Sequence, residues 1–326
     1  MFTHKDIQYR SIFVINCLQE RSLRVSNGEL LLEEKVEDSD KTKTLTKMPF
    51  QKILAIFIIG HIKVTTPLIE KCQKNCVALV VMKPSFRPVF FWANAAEANF
   101  VLHQRQYEFK PDDITIAKLI VENKIRNQQK VLQNTRRKDN LTQSAKEQLQ
   151  ACIDTLPDIS NYNSLMGIEG NAAKVYFSAL FQDMEWKRRC PRTKADAINA
   201  TLDIGYTMLF NYIECFLRIF GFDIYIGVYH RLWYKRKSLV CDLVEPFRPI
   251  IDRTIRTAWN RKQITESDFK VQHGEYVLKR EKNGIYCQLF FEALIPYKTE
   301  VFKYLQSYYR CFMGNKDITL YPTFTI

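Results

Sequence analysis

The spacing of apolar residues changes once along this 326-residue chain, near residue 98. It passes from the period of two that suits strands to one near 3.6 that suits helices, so one uniform layer cannot absorb the whole sequence. Before the change, SIFVI (11–15), LLL (30–32), ILAIFII (53–59), VALVVM (77–82) and PVFFWA (88–93) are short runs rich in β-branched and aromatic residues, which is strand composition. Between Leu23–Val25 and Leu30–Leu32 stands SNGE, whose Asn27-Gly28 pair tolerates the positive φ angles of a tight hairpin turn. EEKVEDSDKTKTLTK (33–47) reads as an exposed connection. ILAIFIIG (53–60) suits a buried strand and is far too short to cross a bilayer.

After residue 98 the pattern is helical. Pro111-Asp112-Asp113 suits a first turn, with Ile116, Leu119, Ile120 and Ile125 as its apolar stripe and the stretch RNQQKVLQNTRRK (126–138) strongly basic. The clearest helix is predicted over 194–220, where Thr193-x-x-Asp196 resembles a capping box, apolar residues recur every three or four positions, and Gly221 stops it. The regions 249–260 and 290–312 also read as helices, with a turn at Asn283-Gly284 before the latter. The expected fold is therefore α+β with two domains: a small β-sandwich or β-roll over 1–97, and a larger all-α domain over 98–326.

Forty-eight lysines and arginines against 35 acids give a formal charge of +13, spread along the chain rather than collected in a tail. Such an excess favours polyanions, nucleic acid first and acidic membrane surfaces second. The membrane reading is the weaker, because the cations do not gather on one amphipathic helix. Nine scattered cysteines, odd in number and mostly beside apolar residues, read as buried thiols of a reducing compartment. Cys72 and Cys76 lack a second Cys/His pair at zinc-site spacing. With no apolar leader or span in view, a cytoplasmic protein is expected.

Candidate chemistry concentrates in HRLWYKRKSLVCDLVEPFRP (230–249), which joins one of the chain's five histidines to two acids and a run of cations. Asp242 and Glu245 admit two readings: the capped start of a helix, or two carboxylates on one helix face with His230 folded back over them. The second is a ligand set for Mg²⁺ or Mn²⁺. Glu169, between Gly167 and Gly170 and in line with Ala172, Ala173, Tyr176 and Phe177, places another acid on an apolar helix face. A buried carboxylate needs a partner, either a neighbouring arginine or lysine or a metal ion.

Four ordered motifs, MGIEGNAAKVYF (166–177), NATLDIGYTMLF (199–210), GFDIYIGVYH (221–230) and SLVCDLVEPFRP (238–249), resemble those of the CRISPR-associated integrase family, the spacer-acquisition endonucleases of CRISPR adaptation. FVLHQRQYEF (100–109) resembles the segment that opens that family's helical domain, so the resemblance extends over nearly the whole chain. It implies that Glu169, His230 and Glu245 bind a divalent metal, Mg²⁺ or Mn²⁺, and that Asp242 is a second acid close to it. It places Arg248 near the DNA backbone, and we add Arg105, Lys235, Arg236 and Lys237 as DNA-contacting cations. Trp233 and Tyr234, interleaved with these cations, suit stacking on frayed strands.

The implied activity is a metal-dependent integrase that joins 3′-OH ends of short captured duplexes to a repeat array. The implied partners are double-stranded DNA, a second copy of the chain contacted through the β-rich domain, and a small CRISPR-associated subunit bridging dimers. Two alternatives are a structure-specific nuclease without joining activity and a non-catalytic DNA-binding assembly subunit.

Overall fold

Asn27 (φ 49°) and Gly28 (φ 78°) both adopt the left-handed conformation the turn requires, and they connect β2 (Arg21–Ser26) to β3 (Glu29–Lys35). The computed structural model describes residues 2–17, 21–35, 42–93, 99–110, 112–136, 139–184 and 186–326. β4 (Thr42–Pro49) adds antiparallel to β3, with Leu30 opposite Met48 and Glu33 opposite Thr44. The expected exposed connection over 33–47 is thus strand at both ends, and residues 36–41 lie outside the described residues. Threonines alternating through TKTLTK supply β-branched side chains that outweigh the segment's polarity.

A second sheet runs in the order β1 (Ser11–Cys17), β5 (Ile53–Gly60), β6 (Ala78–Met82), β7 (Pro88–Trp92). Its first three strands pair in parallel and β7 antiparallel. Parallel strands need a crossover, and α2 (Thr66–Lys74) supplies it between β5 and β6. Every residue of β5 up to Ile59 is buried, as expected for a strand covered on both faces. One face meets the three-stranded sheet through Ile56, Ile58, Leu23, Leu30 and Leu32. The other meets the helices through Leu54 and Phe57, with Phe57 edge-on to Phe291 at 5.1 Å. The N-terminal part is therefore β-rich and two-layered as anticipated.

The remainder is mostly helical. α3 (Phe100–Glu108), α4 (Thr115–Gln133), α5 (Asn140–Thr155), α6 (Tyr162–Leu180), α7 (Ala197–Phe220), α8 (Ser238–Leu243), α9 (Arg248–Asn260), α10 (Asn283–Leu294) and α11 (Lys298–Gly314) follow α1 (His4–Tyr9). α7 is the central element. Its cap is Asp196, whose carboxylate accepts the Asn199 N–H, rather than Thr193, and Gly221 (φ 79°) closes it. A Cβ on Gly205 would lie 2.5 Å from Ile251 and 2.7 Å from the Phe290 ring, so glycine there lets α9 and α10 approach α7.

Three expectations change. α4 begins at Thr115, with Asp113 accepting the Thr115 N–H, while Pro111 lies outside the described residues. Asn283-Gly284 opens α10 instead of forming a turn. A hairpin of β8 (Phe269–Gln272) and β9 (Glu275–Leu278), turned by His273 (φ 50°) and Gly274 (φ 79°), interrupts what was expected to be all-α. The expected boundary at 97/98 falls in residues 94–98, outside the described residues. Among the described residues no helix is long and apolar enough to cross a membrane. Six of the nine cysteines are buried.

Candidate active site

Glu169 projects from the middle of α6, whose start is fixed by Asn161 accepting the Ser164 N–H. A Cβ at Gly167 or Gly170, on the neighbouring faces of the helix, would meet nothing within 4 Å. Glu245 comes from elsewhere, in a short 3₁₀ turn (Glu245–Phe247) between α8 and α9. The two acids converge on Lys124 of α4, whose Nζ lies 2.5 Å from Glu169 Oε1 and 2.7 Å from Glu245 Oε2. Arg248, at the start of α9, holds the other Glu245 oxygen at 3.0 Å and lies over the Tyr206 ring at 4.5 Å. The Tyr229 hydroxyl donates to Glu169 Oε2 at 2.5 Å.

Asp242 has a different setting. It is the penultimate residue of α8 and fully buried. One oxygen accepts the main-chain N–H groups of Val228 (2.6 Å) and Tyr229 (3.0 Å), the other that of His230 (2.7 Å) and the His230 ring Nδ1 (2.7 Å). Gly227 makes the wrap possible, since a Cβ there would sit 2.5 Å from Asp242 Oδ2. The expectation that Asp242 and Glu245 share one helix face is therefore corrected. The chain passes from α8 into a 3₁₀ turn between them, and they face separate partners. Asp242 anchors the loop that carries His230, which leaves the imidazole Nε2 as the nitrogen not committed to a carboxylate, the arrangement common among metal-ligating histidines.

The electrostatics follow from this geometry. Burial works to raise Glu169, but the Lys124 ammonium against it and the Tyr229 hydrogen bond prevail and hold its carboxyl down at about 2. Burial also works against the Lys124 charge, and the two glutamates overcome it so that its pKa is raised. Asp252 of α9 is a further buried acid. Burial pushes its carboxyl up to about 7, against the opposing pull of the Tyr206 hydrogen bond (2.5 Å) and Arg248.

The proposed DNA-contacting cations are not equivalent. Lys235 is exposed, in the left-handed conformation and beside the Tyr234 ring at 5.1 Å. Arg236 and Arg105 are half-buried. Lys237 instead gives both its short contacts, 2.6 and 2.7 Å, to the fully buried Glu214. Arg248 holds Glu245, as described. Leu232, Trp233 and Tyr234 stand 65, 77 and 83% exposed at the tip of this loop.

Glu169 and Glu245 thus meet, joined by a cation from the chain itself, while His230 is tied to Asp242 and packs against Tyr229, the residue that bonds Glu169. Among the described residues no three carboxylate, imidazole or thiolate groups lie close enough together to share a metal ion, and Lys124 stands between the two glutamates. Sequence reasoning allowed for a lysine or arginine partner without finding this one. The available signal was on α4, where Asn123, Lys124, Asn127 and Gln128 are buried beside Ile120, Val121, Ile125 and Val131. Four polar residues on the apolar face of a helix imply partners. Asn123 and Asn127 find theirs in the main chain of Phe324 and Pro246.

Paired acids and a carboxylate-oriented histidine are thus mounted on the helical part of the chain, beside a β-rich one. The architecture is shared with solved structures. A casposase bound to integration product superposes with a TM-score of 0.76 at 19% identity, over 96% of this chain and 94% of that one. A Cas6-RT-Cas1–Cas2 complex also gives 0.76, at 18% identity over 97% of this chain and 36% of the longer one. The CRISPR-associated endonuclease Cas1 1 of Thermodesulfovibrio yellowstonii is 26% identical over 293 residues, covering 85% of this chain and 92% of the relative. The family model described as CRISPR associated protein Cas1 matches residues 17–292, and the chain belongs to that family.

Proposed function

We propose that Glu169, His230 and Glu245 form the metal site of a spacer-acquisition integrase and endonuclease of CRISPR adaptation. The class of activity follows from the family; the assignment of the site is our own reading. The observation that carries it is the convergence of Glu169 and Glu245, from α6 and the 245–247 turn, on one buried ammonium. One oxygen of each lies within 2.7 Å of the same Nζ, through a hydrogen bond to Glu169 and an ion pair with Glu245. A cationic group already sits where a divalent ion would, and hard carboxylate oxygens with one imidazole are the donor set of Mg²⁺ or Mn²⁺. The two glutamates therefore fit such an ion, and His230 Nε2 is the third donor it would have to draw in.

When bound, the ion would polarise a phosphodiester and offset charge developing on it. The chain does the rest. Asp242 fixes the orientation and tautomer of His230. Tyr229 restrains Glu169. Arg248 fixes Glu245 through an ion pair and is itself held by Tyr206. The exposed 232–235 loop presents aromatic faces and a lysine to a strand end. Joining at two strands needs two active centres, so we take the working form to be at least a dimer. Residues 1–97 are the proposed contact domain, residues 98–326 the catalytic one, and a Cas2-type subunit the bridging partner.

The test incubates the protein with a 3′-OH duplex and a supercoiled repeat plasmid. Joined strands are expected for the wild type. Glu169→Ala is expected to abolish joining while keeping DNA binding. Cleavage without joined product would instead support the nuclease alternative, and joining at normal speed by Glu169→Ala would reject the site.

A further inference from the structure

Lys124 presents a problem for any ion that binds the two glutamates. Its ammonium is almost fully buried, with short contacts to both acids. With Arg248 beside them, two cations and two anions are balanced, and burying the acids is tolerable only because that balance exists. A divalent ion and the ammonium cannot both lie between the same two oxygens. One of them has to leave.

The structure holds a second place for the ammonium. One helical turn along α4, at i+4 from Lys124, is Gln128, which is 1% exposed and whose Oε1 has no hydrogen-bond partner. Residues at this spacing lie side by side on a helix. Lys124, Gln128 and Asp252 all line one cavity of about 1160 Å³, so the lysine side chain has room to turn. A buried acceptor without a donor is costly, and a lysine arriving there would relieve it.

We propose that Lys124 is a two-position counter-ion: it sits between Glu169 and Glu245 in the metal-free protein, and swings to Gln128 Oε1 and Asp252 when a divalent ion takes its place. The inference rests on the reading of the two glutamates as ion ligands. Lys124 is on this account a positioning residue. It keeps the acids paired and folded without metal, and it lowers the apparent affinity for metal in proportion to the time it spends between them.

The test is manganese binding, read from the electron paramagnetic resonance of the free aqueous ion, with no activity measured. If the lysine occupies the first position in more than nine molecules of ten, Lys124→Met is expected to bind manganese at least about tenfold more tightly than the wild type. Gln128→Leu removes the second position and is expected to weaken binding by roughly fivefold, the loss of one hydrogen bond. In the Lys124→Met background Gln128→Leu is expected to change nothing. Equal affinity of wild type and Lys124→Met, or weaker binding by the variant, overturns the two-position lysine alone. Absence of manganese uptake by both overturns the ligand reading and this inference with it. A manganese-soaked crystal of the unmodified protein needs no substitution to give an answer. Nζ is expected on Gln128 and Asp252, and Nζ still between the glutamates beside the ion overturns the proposal.

Discussion

Asp242 and Glu245 are three residues apart and both buried, yet the surroundings of one are built from main chain and those of the other from side chains. Asp242 accepts three backbone N–H groups and a histidine ring. None of the main-chain donors can leave without unravelling the 228–230 loop. Glu245 is held by Lys124 and Arg248, side chains that can rotate away while the backbone stays put. An acid satisfied by main chain is architecture, whereas an acid satisfied by side-chain cations can exchange partners. Two carboxylates of similar burial, three residues apart, can therefore have unlike roles.

The comparison can be broken most directly at Asp242. Asp242→Ala strands several buried donors at once and is expected to cost more than about 3 kcal/mol in urea unfolding. Glu169→Ala, which leaves Lys124 its second acid, is expected to cost clearly less. Equal losses would erase the distinction.

A smaller effect sharpens it through pH. Glu169 is held at about 2, below the ordinary 4.5. The stability it contributes is complete above the ordinary value and lost as pH falls from there toward 2. In chelator, Glu169→Gln is expected to flatten that acid limb by up to about 2 kcal/mol. Asp252 has the opposite sign. Its carboxyl is raised to about 7 from 3.8, so its ionisation takes stability away as pH rises between those values. Asp252→Asn, which keeps an oxygen for the Tyr206 hydroxyl, is expected to stabilise the protein at pH 8 by on the order of 1 kcal/mol and to do little at pH 4. Thermal melts at the two values check it.

The least effect on folding is expected at the loop tip. Trp233→Ala and Tyr234→Ala should leave stability within about 0.5 kcal/mol. Each should still weaken binding of frayed duplex ends by roughly 1–3 kcal/mol if the rings stack on bases. Unchanged binding in a fluorescence titration would remove the loop from the DNA-contacting surface.

Much of this was legible in the sequence, and what was missed has physical causes. α7 declared itself because its 24 residues keep one helical period and end at a glycine. The β2–β3 turn was legible because Asn27-Gly28 stands between two short apolar runs, whereas Asn283-Gly284, without such flanks, opens α10. β8 and β9 were missed because four residues each are too few to establish a period, and His273 does not announce a left-handed turn as asparagine does. β4 was hidden by its charge. Within the site, Glu169 was visible as an acid on an apolar face. Lys124, forty-five residues earlier, was not, because a lysine in a basic stretch reads as solvated until its neighbours on the same face are noticed. The separate fates of Asp242 and Glu245 were invisible for a different reason, since a 3₁₀ turn and a continuing helix look alike at three-residue spacing.

The Phe324 amide N–H donates to Asn123 Oδ1, and its carbonyl accepts from Asn123 and Asn127, across as many as 201 residues of sequence. Those asparagines flank Lys124 on α4. If a divalent ion displaces Lys124, hydrogen–deuterium exchange at that single amide should therefore report it from a distance.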